Sequence, residues 1–86
     1  MSDPGAQLAA VRGLLEAIRV AVVVPMSARG DDDMAWHHLE RDRAIKVDAA
    51  VRWALANWDS SQNVAGAARV LRDSTEPPAY EVYVTR

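Results

Sequence analysis

The run "RVAVVVP", Arg19 to Pro25, decides the fold class. Its four valines crowd a helix and suit a strand, so the run separates a mainly helical chain from an α+β one. No turn residue divides it from what precedes it, and on that ground it reads as the end of a helix, with a strand over 19–24 as the alternative.

Upstream, "SDPG" at Ser2 to Gly5 puts Asp3 at an N-cap and Pro4 at the first helical position, where a missing N–H costs nothing. Leu8, Val11, Leu15, Ile18 and Val22 follow at steps of three and four, the spacing of one apolar seam, with Gln7, Arg12, Glu16 and Arg19 off it. Pro25 pushes Val24 out of helical geometry, so the first helix is expected over about 4–24.

Downstream, "PMSARGDDD" (25–33) is a connecting loop, and its aspartates cap and complement the macrodipole of a second helix over about 34–57. On that helix Trp36, Leu39, Val47, Ala50, Val51, Ala54 and Trp58 gather on one face, interrupted by Glu40 and Arg43. Ile45, Ala49, Trp53 and Ala56 mark a second, narrower stripe, so the helix has apolar surface to bury in two directions. "DSSQ" (59–62) is a turn with capping serines before a third helix over about 63–72, which places Val64, Ala67, Ala68 and Leu71 on one face. After Pro77-Pro78, "AYEVYVT" alternates as a half-buried strand over about 79–85. Such a strand needs a neighbour: residues 19–24, a second copy, or another protein's sheet edge. The expected fold is thus mainly α, a long helical hairpin with a short third helix and one C-terminal strand, forming a single domain over 1–86.

Composition narrows the function classes. A chain of 86 residues buries little more than about 60% of its unfolded surface, so its core is marginal without a supplement. There is no cysteine, which removes disulfides, zinc ribbons and thiol chemistry and fits the cytoplasm. Sixteen alanines favour helix but fill little volume. Nine arginines to one lysine, with abundant alanine and valine, follow the coding bias of a GC-rich bacterium or its phage. The net charge of −2, with no strongly basic segment, argues against nucleic acid as partner. The apolar run Val20 to Met26 is too short to span a bilayer, and the amino terminus lacks the basic region of a signal peptide.

Candidate chemistry is sparse. Asp33 with His37 and His38 with Asp42 are i,i+4 pairs, but a helix turns the adjacent histidines 100 degrees apart, so no metal site, cofactor or catalytic residue is assigned. "RGD" (29–31) is a chance tripeptide. "NVAGAARVL", Asn63 to Leu71, resembles the first helix of a helix-turn-helix, but the prolines that follow fall where a recognition helix would lie.

Glu40 and Arg43 read either as an inter-chain polar pair or as long stems snorkelling from the edge of the apolar face. With Ile45, Ala49 and Trp53 they complete the expected interaction set. The chain is accordingly expected to be no enzyme but a small interaction module (an adaptor, inhibitor or regulator) that binds another protein and forms a homodimer through the second stripe. A DNA-binding transcriptional regulator and a small metal-dependent hydrolase are the alternatives.

Overall fold

The computed structural model describes residues 3–84. Helix α1 spans Pro4–Val22, α2 spans Asp33–Ala56 and α3 spans Ser61–Ser74, with one 3-10 turn, Gly30–Asp32, leading into α2. The fold is mainly α, in the order read from the sequence.

Local chemistry sets the helix ends. Asp3 caps α1 by accepting from the Ala6 N–H at 3.3 Å, and Ser60 caps α3 by accepting from the Asn63 N–H at 3.2 Å. Asp32 precedes α2 but makes no side-chain cap bond. The expected ion pairs form: Lys46 to Asp42 at 2.8 Å and Arg52 to Asp48 at 2.9 Å. Helix α3 exceeds the expected 63–72 by two residues at each end. Arg19 to Val22 form the last turn of α1, which overturns the alternative of a strand over 19–24. The helix stops at Val23 (φ −85, ψ 93), two residues short of expectation, because Pro25 ahead and a guanidinium below both favour its end there.

Four hydrogen bonds give the packing register. The Gln7 side chain donates to the Trp58 carbonyl at 3.1 Å and Arg43 donates to the Ala21 carbonyl at 3.4 Å, so α1 runs antiparallel along the C-terminal two-thirds of α2. Asn63 donates to the Asn57 side chain at 3.3 Å and Lys46 to the Ser74 carbonyl, so α3 also runs back along α2, parallel to α1. The first turns of α2 project beyond both helices. The molecule is therefore long, 52 × 26 × 15 Å, with a radius of gyration of 15.3 Å against about 12 Å for a compact chain of this length.

The core lies between α1 and α3 and is built of small residues. Ala10, Leu14, Ala17 and Ala21 meet Val64, Ala67, Ala68 and Leu71, with Ala50 and Ala54 of α2 closing the third side. This corrects the expected seam of α1. Leu8, Leu15 and Val22 are exposed, and only Val11 and Ile18 pack partly against the core. The reason is distance: α1 packs chiefly on α3, whose buried face has Ala67 and Ala68 at its centre, and close approach selects the alanine-rich side of α1 over the side of Leu8 and Leu15. On α2 the main face is as expected, with Leu39, Ala50 and Ala54 buried, although Trp58 remains half exposed.

Arg43 departs from both expectations for it. Its side chain is 7% exposed and donates from Nη1 to the carbonyls of Ala21 and Val23 (3.4 and 3.1 Å) and from Nη2 to that of Glu76 (3.0 Å). Neither a snorkelling stem nor half of an inter-chain pair, it caps the C-terminus of α1 and holds the segment after α3. Glu40 turns outward and accepts from His37 at 3.0 Å.

The C-terminal segment forms one antiparallel bridge, Ser27 to Val82, rather than the expected strand over 79–85, whose residue 85 lies outside the described residues. The Ala28 N–H donates to the Glu81 carbonyl and the Tyr83 N–H to that of Met26, both at 2.8 Å. Its neighbour is the loop after Pro25, because residues 19–22 already spend their backbone groups inside α1. The Tyr80 hydroxyl donates to the Pro25 carbonyl. Partial burial raises its pKa above the ordinary phenol value, with Arg43 opposing and Glu40 adding to the rise. The hydroxyl therefore stays a donor at neutral pH, and its bond is lost only as pH rises through that elevated pKa.

Arg43→Met is expected to lower unfolding stability by about 2–4 kcal/mol, since three carbonyls lose a charged donor. Arg43→Lys is expected to recover less than half of that, because an ammonium lacks the planar fork. Urea denaturation followed by helical circular dichroism measures both, and equal stability of Lys and Arg variants would contradict the capping role. In hydrogen exchange, the amides of Ala28 and Tyr83 are expected to be protected relative to Val84, which fails if all three exchange at the same rate.

Candidate functional site

The second stripe of α2 is exposed, and its C-terminal part, Ala49 and Trp53, borders a groove. Ile45 is 60% and Trp53 53% exposed, and Ala49 lies between them, also at the surface. Helix α3 packs beside this stripe without covering it, because its own apolar face is turned to α1. Between the two helices runs an open groove of about 480 Å³. Ala49, Ala50, Gly66 and Ala67 line it with small side chains, and Trp53, Val70 and the buried Leu71 are the bulky apolar ones; Val70 is 64% exposed. Lys46 and Arg69 are the charged lining residues. Lys46 is held by Asp42 and the Ser74 carbonyl, so among the described residues Arg69 is the unpaired cation of the groove.

Of the five residues expected to form an interaction set, the fold keeps Ile45, Ala49 and Trp53 together on this face. It separates Arg43, which is inside the chain, and Glu40, which pairs with His37. The contribution of α3, through Gly66 and Val70, is invisible to a reading of α2 alone. It becomes legible only once Val64, Ala67, Ala68 and Leu71 are assigned to the core, which leaves Gly66 and Val70 on the side toward α2.

The acid and histidine cluster disperses. Asp33 accepts from the Ser27 hydroxyl at 3.0 Å, and the His37 ring stacks on Trp36 with centroids 5.1 Å apart. His38 lines two clefts with Asp42, and His37 joins it in one of them, beside Arg41 and Ile45. Among the described residues no three histidine, aspartate or glutamate side chains converge as metal ligands. Helix α3 is followed by extended chain, not by a second helix that would complete a helix-turn-helix. No described helix is long and apolar enough to cross a membrane.

No protein-family model, curated protein or solved structure matches this chain.

Replacing His37 and His38 together with alanine is expected to change unfolding stability by no more than about 0.5 kcal/mol, both side chains being exposed. Zinc retained stoichiometrically by the wild type after dialysis, and lost from the double variant, would overturn the dispersed reading of the cluster.

Proposed function

We propose that this chain is a small protein-binding module, an adaptor, inhibitor or regulator rather than an enzyme, and that it works through the α2–α3 groove face. The observation that carries the reading is the exposure of Trp53 and Val70 around a groove floored by alanine and glycine, with Ile45 exposed one turn before Ala49 on the same stripe of α2. Small floor residues let a partner's backbone or a bulky side chain approach closely, while a half-exposed tryptophan supplies a large apolar contact at little conformational cost. Arg43 and Glu40 fall outside this site, so the working set is Ile45, Ala49 and Trp53 of the stripe with Gly66 and Val70. The absence of cysteine supports a reducing compartment, the cytoplasm.

The test is paired affinity capture from the native host with the wild type, Ile45→Glu and Trp53→Ala. A partner held by the wild type is expected to bind each variant at least about thirtyfold more weakly, the effect of losing an interface hot spot. A partner retained equally by all three would place the interaction elsewhere on the molecule.

A further inference from the structure

We infer that residues 76–84 form a strap that opens as a unit from the N-terminal half of α2 while the three helices stay folded. The closed form covers Leu39 and the Arg43 guanidinium, and the open form exposes them.

What holds the strap is polar and peripheral. None of residues 76–84 is buried, and none belongs to the core cluster, whose members come from α1, α3 and the C-terminal half of α2. Its attachments are the Glu76 carbonyl on Arg43, the Tyr80 hydroxyl on the Pro25 carbonyl, two backbone bonds to Met26 and Ala28, and an ion pair of Glu81 with Arg29 at 3.1 Å. That ion pair is exposed on both sides and contributes little. Thr75 stays with α3, its hydroxyl donating to the Leu71 carbonyl at 2.6 Å, so the hinge lies just after it. Pro77 and Pro78 then fix φ at two successive positions, and the chain beyond them swings as one piece.

Closure is opposed from the α2 side. Among the described residues, the Arg43 Nε and the Trp36 indole N–H are buried donors with no partner. They stand seven residues apart and hence on one side of α2, the side on which the Glu76 carbonyl reaches Arg43. A buried donor left unpaired has lost its hydrogen bonds to water, and opening returns that side of the helix to water. Packing does not offset this. A cleft of about 630 Å³ lies between Leu39 and the strap residues Pro77 and Ala79, and Glu76 shares it with Asp31, like charge beside like charge. Few buried apolar contacts and a short ladder of backbone bonds are the marks of a segment that opens below the global unfolding free energy.

The open form leaves α1 capped, because Arg43 keeps the Ala21 and Val23 carbonyls when it loses that of Glu76. What changes is the face of α2 around Leu39. A molecule that binds this face only when the strap is open draws the equilibrium toward the open form by its difference in affinity.

Native-state hydrogen exchange tests the strap. In the wild type the amides of Ala28 and Tyr83 are expected to exchange at least about a hundredfold faster than those of Leu14 and Leu71, at a rate that low urea leaves unchanged while it speeds the helical pair. The chain has no cysteine, and Ser27 and Val82 form a non-hydrogen-bonded antiparallel pair, the closer of the two pairings, which suits a cross-link. Oxidised Ser27→Cys/Val82→Cys is expected to slow the Ala28 and Tyr83 amides at least about tenfold and to make their exchange respond to urea, and reduction is expected to restore the fast exchange. Tyr80→Phe, which removes one attachment, is expected to speed them about two- to tenfold. Exchange of Ala28 and Tyr83 at the rate and urea dependence of Leu14 and Leu71 makes the segment part of the cooperative fold and overturns the strap. Exchange as fast as that of the exposed Val84 overturns it from the other side, since the segment is then never closed. So does an oxidised variant, or a Tyr80→Phe variant, that exchanges as the wild type does.

Discussion

The buried guanidinium of Arg43 is the interaction on which the arrangement of this chain depends. It takes two carbonyls at the end of α1 and one after α3, so a single side chain of α2 ties the end of α1 to the segment that follows α3. The helix terminus it meets carries partial negative charge, and the carbonyls it satisfies would otherwise be orphaned, which is why a cation without a carboxylate partner is tolerated there. Because α1 ends at this point, Pro25 and the loop behind it are placed beside the C-terminal segment. The Ser27 to Val82 bridge and the Tyr80 hydroxyl bond follow from that placement.

The second constraint is the size of the core residues. Seven of the ten residues in the core cluster are alanine. Alanine lets α1 and α3 approach closely, but each buried methyl contributes only about 0.8 kcal/mol, against about 1.5–3 kcal/mol for a leucine or valine side chain. The larger residues, Leu8, Leu15, Ile45, Trp53, Leu55 and Val70 among them, lie on the outside. A chain organised in this way leaves much of its bulky apolar surface exposed. That connects the modest core to the groove: the same alanine-to-alanine packing that turns α3 toward α1 also leaves the second stripe of α2 uncovered.

Sequence pattern alone determined the three helices, the N-caps of α1 and α3, the buried face of α3, most of the buried face of α2 and the presence of a second apolar stripe on α2. These are local properties. A cap is one side chain and one N–H three residues on, and a helical face is set by spacing. What only the tertiary structure decided was which of two apolar sides of α1 is inside, what Arg43 does and where the C-terminal segment pairs. The 3-4-3-4 spacing of Leu8, Val11, Leu15, Ile18 and Val22 is a stronger pattern than Ala10, Leu14, Ala17 and Ala21, yet the alanine side is buried because interhelical distance, not hydrophobicity, selects it. Arg43 in an apolar sector looks like a fault until the carbonyls of Ala21, Val23 and Glu76 converge on it, and those partners lie 20 to 33 residues away in the chain. Such contacts depend on where separate helices end in space, which spacing within any one helix does not encode.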